Sequence, residues 1–148
     1  MIRWVLFDFG GVIAEEGFRK GLEAIAEESG LDVKQFVAIA SELMYRTGYV
    51  KGRADEHTYW DALRDATSVR GTDKELREQI LERFILRRAM LDEAGNLRSR
   101  GLKVGILSDQ TNWLDEIDQR TPFEHLFDRV LNSFTSKGAK GIQLSSRR

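Results

Sequence analysis

An α/β fold is predicted from three observations. Two runs, 2–7 and 103–107, apolar except for Arg3 and Lys103, each stop at polar or turn-forming residues, Asp8-Phe9-Gly10-Gly11 and Ser108-Asp109. Strands buried on both faces of a parallel sheet read this way. The long stretch between the two runs shows helical spacing, and a weaker third run, 129–132, follows Phe127-Asp128. The order of strand, helical insertion, helix, strand, helix, strand gives a parallel sheet of Rossmann-like winding.

Apolar face and cap place the helices. Phe18, Leu22, Ile25 and Ala26 share one side of a first helix, and Val33, Phe36, Val37, Ala40, Leu43 and Met44 one side of a second. Asp32 with Gln35 resembles a capping box at the start of the second. Tyr59, Trp60 and Leu63 mark a third helix, and Leu76, Ile80, Leu81 and Phe84 a fourth that opens at the box Thr72-Asp73-Lys74-Glu75. A helix from about 92 to 100 enters the second strand, and one from 111 to about 119 leaves it. The single proline, Pro122, and the lack of a Ser/Gly-rich linker argue against a loosely tethered second domain.

Composition narrows the function classes. The 148 residues carry 23 Lys plus Arg against 24 Asp plus Glu, a formal charge of -1 that gives no global attraction to nucleic acid or to an anionic membrane. With no cysteine, thiolate metal sites and cysteine nucleophiles are excluded. The opening Arg3-Trp4-Val5-Leu6-Phe7 is interrupted by Asp8 and by Gly10, Gly11 and Gly17, which does not fit a signal peptide. No window approaches the roughly 20 apolar residues of a membrane span, so a soluble cytoplasmic protein is expected.

Ligands of open parallel sheets bind beyond the carboxyl ends of the strands. Asp8 and Ser108 occupy that place on two strands. A carboxylate there can attack phosphorus when a metal and nearby amides offset the repulsion between two anions. Gly10 and Gly11 allow close backbone approach, and the Ser108 hydroxyl with the amides after it can hold phosphate oxygens. His57, His125, Trp4, Trp60 and Trp113 read as packing or surface residues. Glu15 and Glu16 fall where a lid hinge would be, and Arg87 and Arg88 at a helix end.

Val5-Leu6-Phe7-Asp8-Phe9-Gly10-Gly11-Val12-Ile13 resembles the first motif of the haloacid dehalogenase-like (HAD) hydrolases, and Gly105-Ile106-Leu107-Ser108-Asp109 resembles their second. The stretch between them is similar to their small helical cap, and the likeness runs over about 2–134. The resemblance implies a core of 1–14 and 91–134, a cap of 15–90 inserted after the first strand, and an atypical basic tail of 135–148. It further implies Mg2+-dependent hydrolysis of a small phosphorylated metabolite through an aspartyl phosphate on Asp8. Asp8 and the Gly10 carbonyl would be metal ligands; Gly10, Gly11, Ser108 and Asp109 would bind phosphate.

Three features depart from the family pattern. Gly10 stands where its phosphatases usually carry a second aspartate that protonates the leaving group. Lys137 and Lys140 lack the Lys-Pro or Lys-Arg-Asp-Pro surroundings of the third motif. The acidic fourth motif, which completes the magnesium site, is not reached. A catalytically silent truncated form or a binding module is therefore the alternative expectation, with dehalogenation a third. In the family a fourth strand flanks the first, so here an apolar first-strand edge is expected to pair with another copy.

The tail 135–148 holds Lys137, Lys140, Arg147 and Arg148 and no acidic residue. Its residues can be encoded so that the alternative phase, starting at the last base of the Thr135 codon, reads Leu-Glu-Gly-Ser-Lys-Arg-Asp-Pro. The second and third bases of the four codons for Lys-Arg-Asp-Pro are set largely by Ala139 to Gln143. A one-base deletion near Phe134 is the corresponding expectation.

Overall fold

The computed structural model describes residues 3–134; the basic tail with Lys137 and Lys140 lies outside the described residues. Three parallel strands, β1 (Trp4–Asp8), β2 (Lys103–Ser108) and β3 (Arg129–Asn132), lie in the order β1-β2-β3. Between β1 and β2 run α1 (Gly17–Glu28), α2 (Val33–Arg46), α3 (Glu56–Ala66), α4 (Asp73–Leu81) and α5 (Arg88–Ser99); α6 (Trp113–Arg120) joins β2 to β3. The α/β fold is as predicted. No helix among the described residues is long and apolar enough to cross a membrane.

Local sequence accounts for most boundaries. Asp32 and Asp55 cap α2 and α3 by accepting from the amides of Gln35 and Thr58, each at 2.8 Å. Thr72 and Glu75 form both halves of a capping box on α4, at 3.1 and 2.8 Å. At Asp32 only the half made by the cap side chain is seen. Helix α5 starts at Arg88, ahead of the expected position near 92, because its N-cap residue, Arg87, makes no side-chain cap bond and so left no cap signal to read.

The expectation that the first strand is buried on both faces is corrected. Register pairs Leu6 with Gly105, Asp8 with Leu107 and Leu107 with Leu131, so these side chains share one face. That face is open: Leu6 is 39% and Leu107 49% exposed. On the other face Val104 and Ile106 are fully buried. An apolar run does not reveal which of its faces gains a cover.

The chain leaves and re-enters the sheet region by two adjacent segments. Glu15 N–H donates to Ile85 O at 2.8 Å and Arg87 N–H to Ile13 O at 2.8 Å, with an antiparallel bridge between Ala14 and Leu86. Above this neck, α1 packs on α2 and α4, and α2 on α3. Gly21 permits the close approach of α1 to α4, since a Cβ there would lie 2.6 Å from the Ile80 Cα. The helical insertion is also fixed to the sheet layer by aromatic rings. Trp113 of α6, 1% exposed, meets Trp60 at 5.9 Å, Tyr49 at 5.6 Å and Phe18 at 6.2 Å between centroids. Arg120 of α6 adds a two-pronged pair to Glu78 of α4. The lack of a loose linker thus corresponds to a shared core. Trp60 and Trp113 are packing residues, and Trp4 is half-buried at the sheet edge.

Candidate functional site at the strand ends

Adjacent parallel strands bring Asp8 and Ser108 together. Asp8 lies opposite Leu107, one residue before Ser108, which puts their Cα atoms about 6 Å apart from strand spacing and rise. Their side chains leave on opposite faces of the sheet. The Asp8 carboxylate is exposed, and among the described residues it has no hydrogen bond or ion pair. Ser108 is 7% exposed, and its hydroxyl accepts from Gln110 N–H at 2.9 Å. A hydroxyl used in this way still has its own proton to donate to an incoming oxygen.

The turn after Asp8 is held tightly. Ala14 N–H donates to Phe9 O at 3.0 Å and Gly11 N–H to Ala14 O at 2.7 Å. Gly11 has φ +84°, a conformation suited to glycine. Its carbonyl accepts from Arg87 Nη1 at 2.6 Å. Both backbone groups of Gly11 are therefore engaged within the protein, which argues against the Gly11 amide as a phosphate donor in this geometry. Gly10 differs. A Cβ there would come within 3.3 Å of both Gln110 Nε2 and Glu16 Oε2, so Gly10 lies at the meeting point of the first-strand turn, the start of α1 and the segment after β2.

That meeting point borders a cleft of about 290 Å³ between the helical insertion and the segment after β2. Its walls include Glu16, Phe18, Tyr45, Asp109, Gln110 and Trp113. Of the residues picked from sequence, Asp109 lines the cleft, while Asp8, Gly10, Gly11 and Ser108 sit outside its lining. Glu16, read from sequence as lying at a hinge, is a wall of the cleft and caps α1 by accepting from Phe18 N–H at 3.2 Å. Gln110 was missed. Its only signal was its place two residues after Ser108, and its approach to Gly10 across the fold leaves no period in the sequence.

The hinge charges have specific partners. Arg87 Nε lies 2.9 Å from Glu15 Oε2, and Lys20 Nζ 3.0 Å from Glu15 Oε1. The hydrogen bond from Arg87, then that from Lys20, hold the Glu15 carboxyl down at about 2. Arg87 thus braces the neck against the turn that follows Asp8. His57 pairs with Asp73 at 2.7 Å and Asp61 at 3.0 Å on the surface, and the Asp73 hydrogen bond raises its pKa. Tyr49, which bonds Asn112 through its hydroxyl, is kept protonated far above the usual range by burial.

For a divalent metal, the described residues offer the Asp8 carboxylate and the backbone of Gly10. Among them no group of three acidic or histidine side chains comes together. Magnesium often binds through one or two carboxylates, with waters and a substrate phosphate filling its other positions. The unpartnered Asp8 fits that substrate-assisted mode and does not form a preformed cage.

No protein-family model and no curated protein matches the chain. Solved structures do. An HAD-family enzyme from Bacteroides thetaiotaomicron aligns at 20% identity over 95% of this chain and 73% of its own, with a TM-score of 0.65. The same enzyme in complex with magnesium and inorganic phosphate aligns over 96% and 74%, at 20% identity and TM-score 0.61. L-2-haloacid dehalogenase from Xanthobacter autotrophicus, with chloropropionic acid covalently bound, aligns at 14% identity over 97% of this chain and 66% of its own, with a TM-score of 0.60. With Asp8 at the end of β1, Ser108 at the end of β2 and a helical insertion between them, the chain has the fold of the HAD-family enzymes.

Proposed function

We propose that the protein is an HAD-like phosphohydrolase acting on a small phosphorylated metabolite through Asp8. The observation that carries the reading is the exposed, unpartnered Asp8 carboxylate beside Ser108 at the ends of two paired parallel strands. An Asp8 oxygen forms a bond to phosphorus as the ester P–O bond breaks, and the departing alkoxide takes a proton from water. Water then attacks the phosphorus of the aspartyl phosphate, the acyl P–O bond breaks, and Asp8 is regenerated with release of inorganic phosphate.

The Ser108 hydroxyl, which keeps its own proton to donate, would orient the phosphate, with the amides of Asp109 and Thr111 as further donors, since the Gln110 N–H is already given to Ser108 Oγ. Asp8 and the Gly10 carbonyl would hold magnesium together with substrate. When bound, the ion offsets the charge repulsion between carboxylate and phosphate. Residue 10 has no side-chain acid, and general acid catalysis typically contributes about 10²- to 10⁴-fold. Slow turnover of substrates with poor leaving groups is therefore expected.

The two-donor metal set favours a second reading, a catalytically silent binding module. A screen of phosphomonoesters with magnesium, run beside Asp8→Asn, separates the two. Magnesium-dependent turnover lost in the variant supports hydrolysis, and no turnover with any ester supports the silent form.

A further inference from the structure

The cleft beside Gly10 carries information about the substrate that the strand ends do not. Its described walls contain two carboxylate residues, Glu16 and Asp109, and no lysine, arginine or histidine. The other walls combine apolar and aromatic residues, Phe18, Met44, Tyr45, Val50 and Trp113, with the neutral polar Ser41, Gln110 and Thr111; Met44 is 5% and Trp113 1% exposed. At about 290 Å³ the space lies at the lower end of the roughly 300–1,000 Å³ usual for small-molecule sites.

A second anionic group entering this space would meet two carboxylates without a counter-charge, at a distance where like charges repel. A cation or hydrogen-bond donor would meet acceptors, and aromatic faces attract cations as well. An apolar body would replace water against the rings. The cleft also borders the turn that follows Asp8. Glu16 Oε2 and Gln110 Nε2, both on cleft residues, come within 3.3 Å of the Gly10 Cβ position, and Gly10 is two residues beyond Asp8.

We propose that the cleft accepts a compact, apolar group carrying an ammonium or another hydrogen-bond donor and no second anion, so that the substrates are phosphomonoesters of small amino alcohols or aryl-alkyl alcohols and not bisphosphates, phosphorylated carboxylic acids or nucleoside polyphosphates. This rests on the hydrolase reading for the word substrate and on the cleft alone for the ligand chemistry.

The test measures binding separately from turnover. The full chain is titrated with 2-phenylethylamine, 2-phenylethanol and 3-phenylpropionate, of similar size, while the amide signals of Gln110 and Thr111 are followed by NMR. The amine should bind most tightly and the carboxylate most weakly. The amine should lead the alcohol by about three- to fivefold, as for a partly exposed charge pair. Glu16→Gln and, independently, Asp109→Asn should each narrow the lead of the amine over the alcohol. Equal or tighter binding of the carboxylate, no shift with any probe, or an amine preference untouched by both substitutions would overturn the proposal.

Matched phosphomonoesters then separate the two readings. Best turnover of esters with a second anion overturns the substrate class and leaves hydrolysis standing. Amine-selective binding with no turnover of any ester supports the ligand chemistry of the cleft and removes the hydrolase reading.

Discussion

Arg87 reaches from the end of the helical insertion to Glu15 at its start, with Nε 2.9 Å from the Glu15 carboxylate and Nη1 2.6 Å from the Gly11 carbonyl. One guanidinium therefore ties together both segments of the neck and the turn that follows Asp8. The Glu15 carboxyl, held at about 2, titrates below its unfolded value of about 4.5. A group with a depressed folded pKa stabilises the folded state fully above its unfolded pKa and loses that contribution as pH falls through the folded value. Glu15→Gln should lower the Tm by a small amount at pH 7, and the gap from the wild type should close between about pH 4.5 and 2. A gap that stays constant across that range would show that the pairing contributes nothing through charge.

Two helical glycines should respond in opposite ways. A Cβ on Gly21 would strike the Ile80 backbone at 2.6 Å, whereas a Cβ on Gly95 meets nothing within 4 Å. Gly21→Ala must push α4 off α1, and overpacking of this kind costs about 1–3 kcal/mol. Gly95→Ala should stabilise by about 0.5–1 kcal/mol, through helix propensity and a less disordered unfolded chain. Denaturant unfolding of both variants checks the pair.

The open edge and face of the sheet make association the expected behaviour. Lys103 N–H donates to Arg3 O at 2.8 Å, so alternation along β1 turns the Leu6 N–H to the outer edge, where no described strand pairs with it. Leu6 and Leu107 add apolar surface beside it, and unpaired edges of this kind invite a second strand. We expect sizing to show dimers or larger species that Leu6→Lys reduces. A monodisperse monomer with a freely exchanging Leu6 amide would contradict this.

Patterning revealed the strands and helices because burial of one helix stripe imposes a period, and Thr72 and Glu75 marked α4 because a cap needs those side chains. The start of α5 was not legible, since Arg87 caps nothing through its side chain. Nor was the open face of β1, because the cover a strand receives is decided by other elements. Asp8 and Ser108 could be found at the ends of apolar runs. The cleft could not, because Glu16, Tyr45 and Gln110 meet only through the tertiary fold.

Residues 135–148 can be checked outside the protein altogether. The coding DNA should spell Lys-Arg-Asp-Pro in the shifted phase across Ala139 to Gln143. Bases that do not would remove the deletion and require the tail to be explained as it stands.

The central claim is that Asp8 becomes covalently phosphorylated during turnover. The most direct measurement is acid quenching of the protein with magnesium and a hydrolysed phosphomonoester, followed by peptide mapping by mass spectrometry. Phosphoryl on the peptide containing Asp8, absent from Asp8→Asn, is the predicted result. Continued turnover by Asp8→Asn, or turnover with phosphoryl found on another residue, would contradict it.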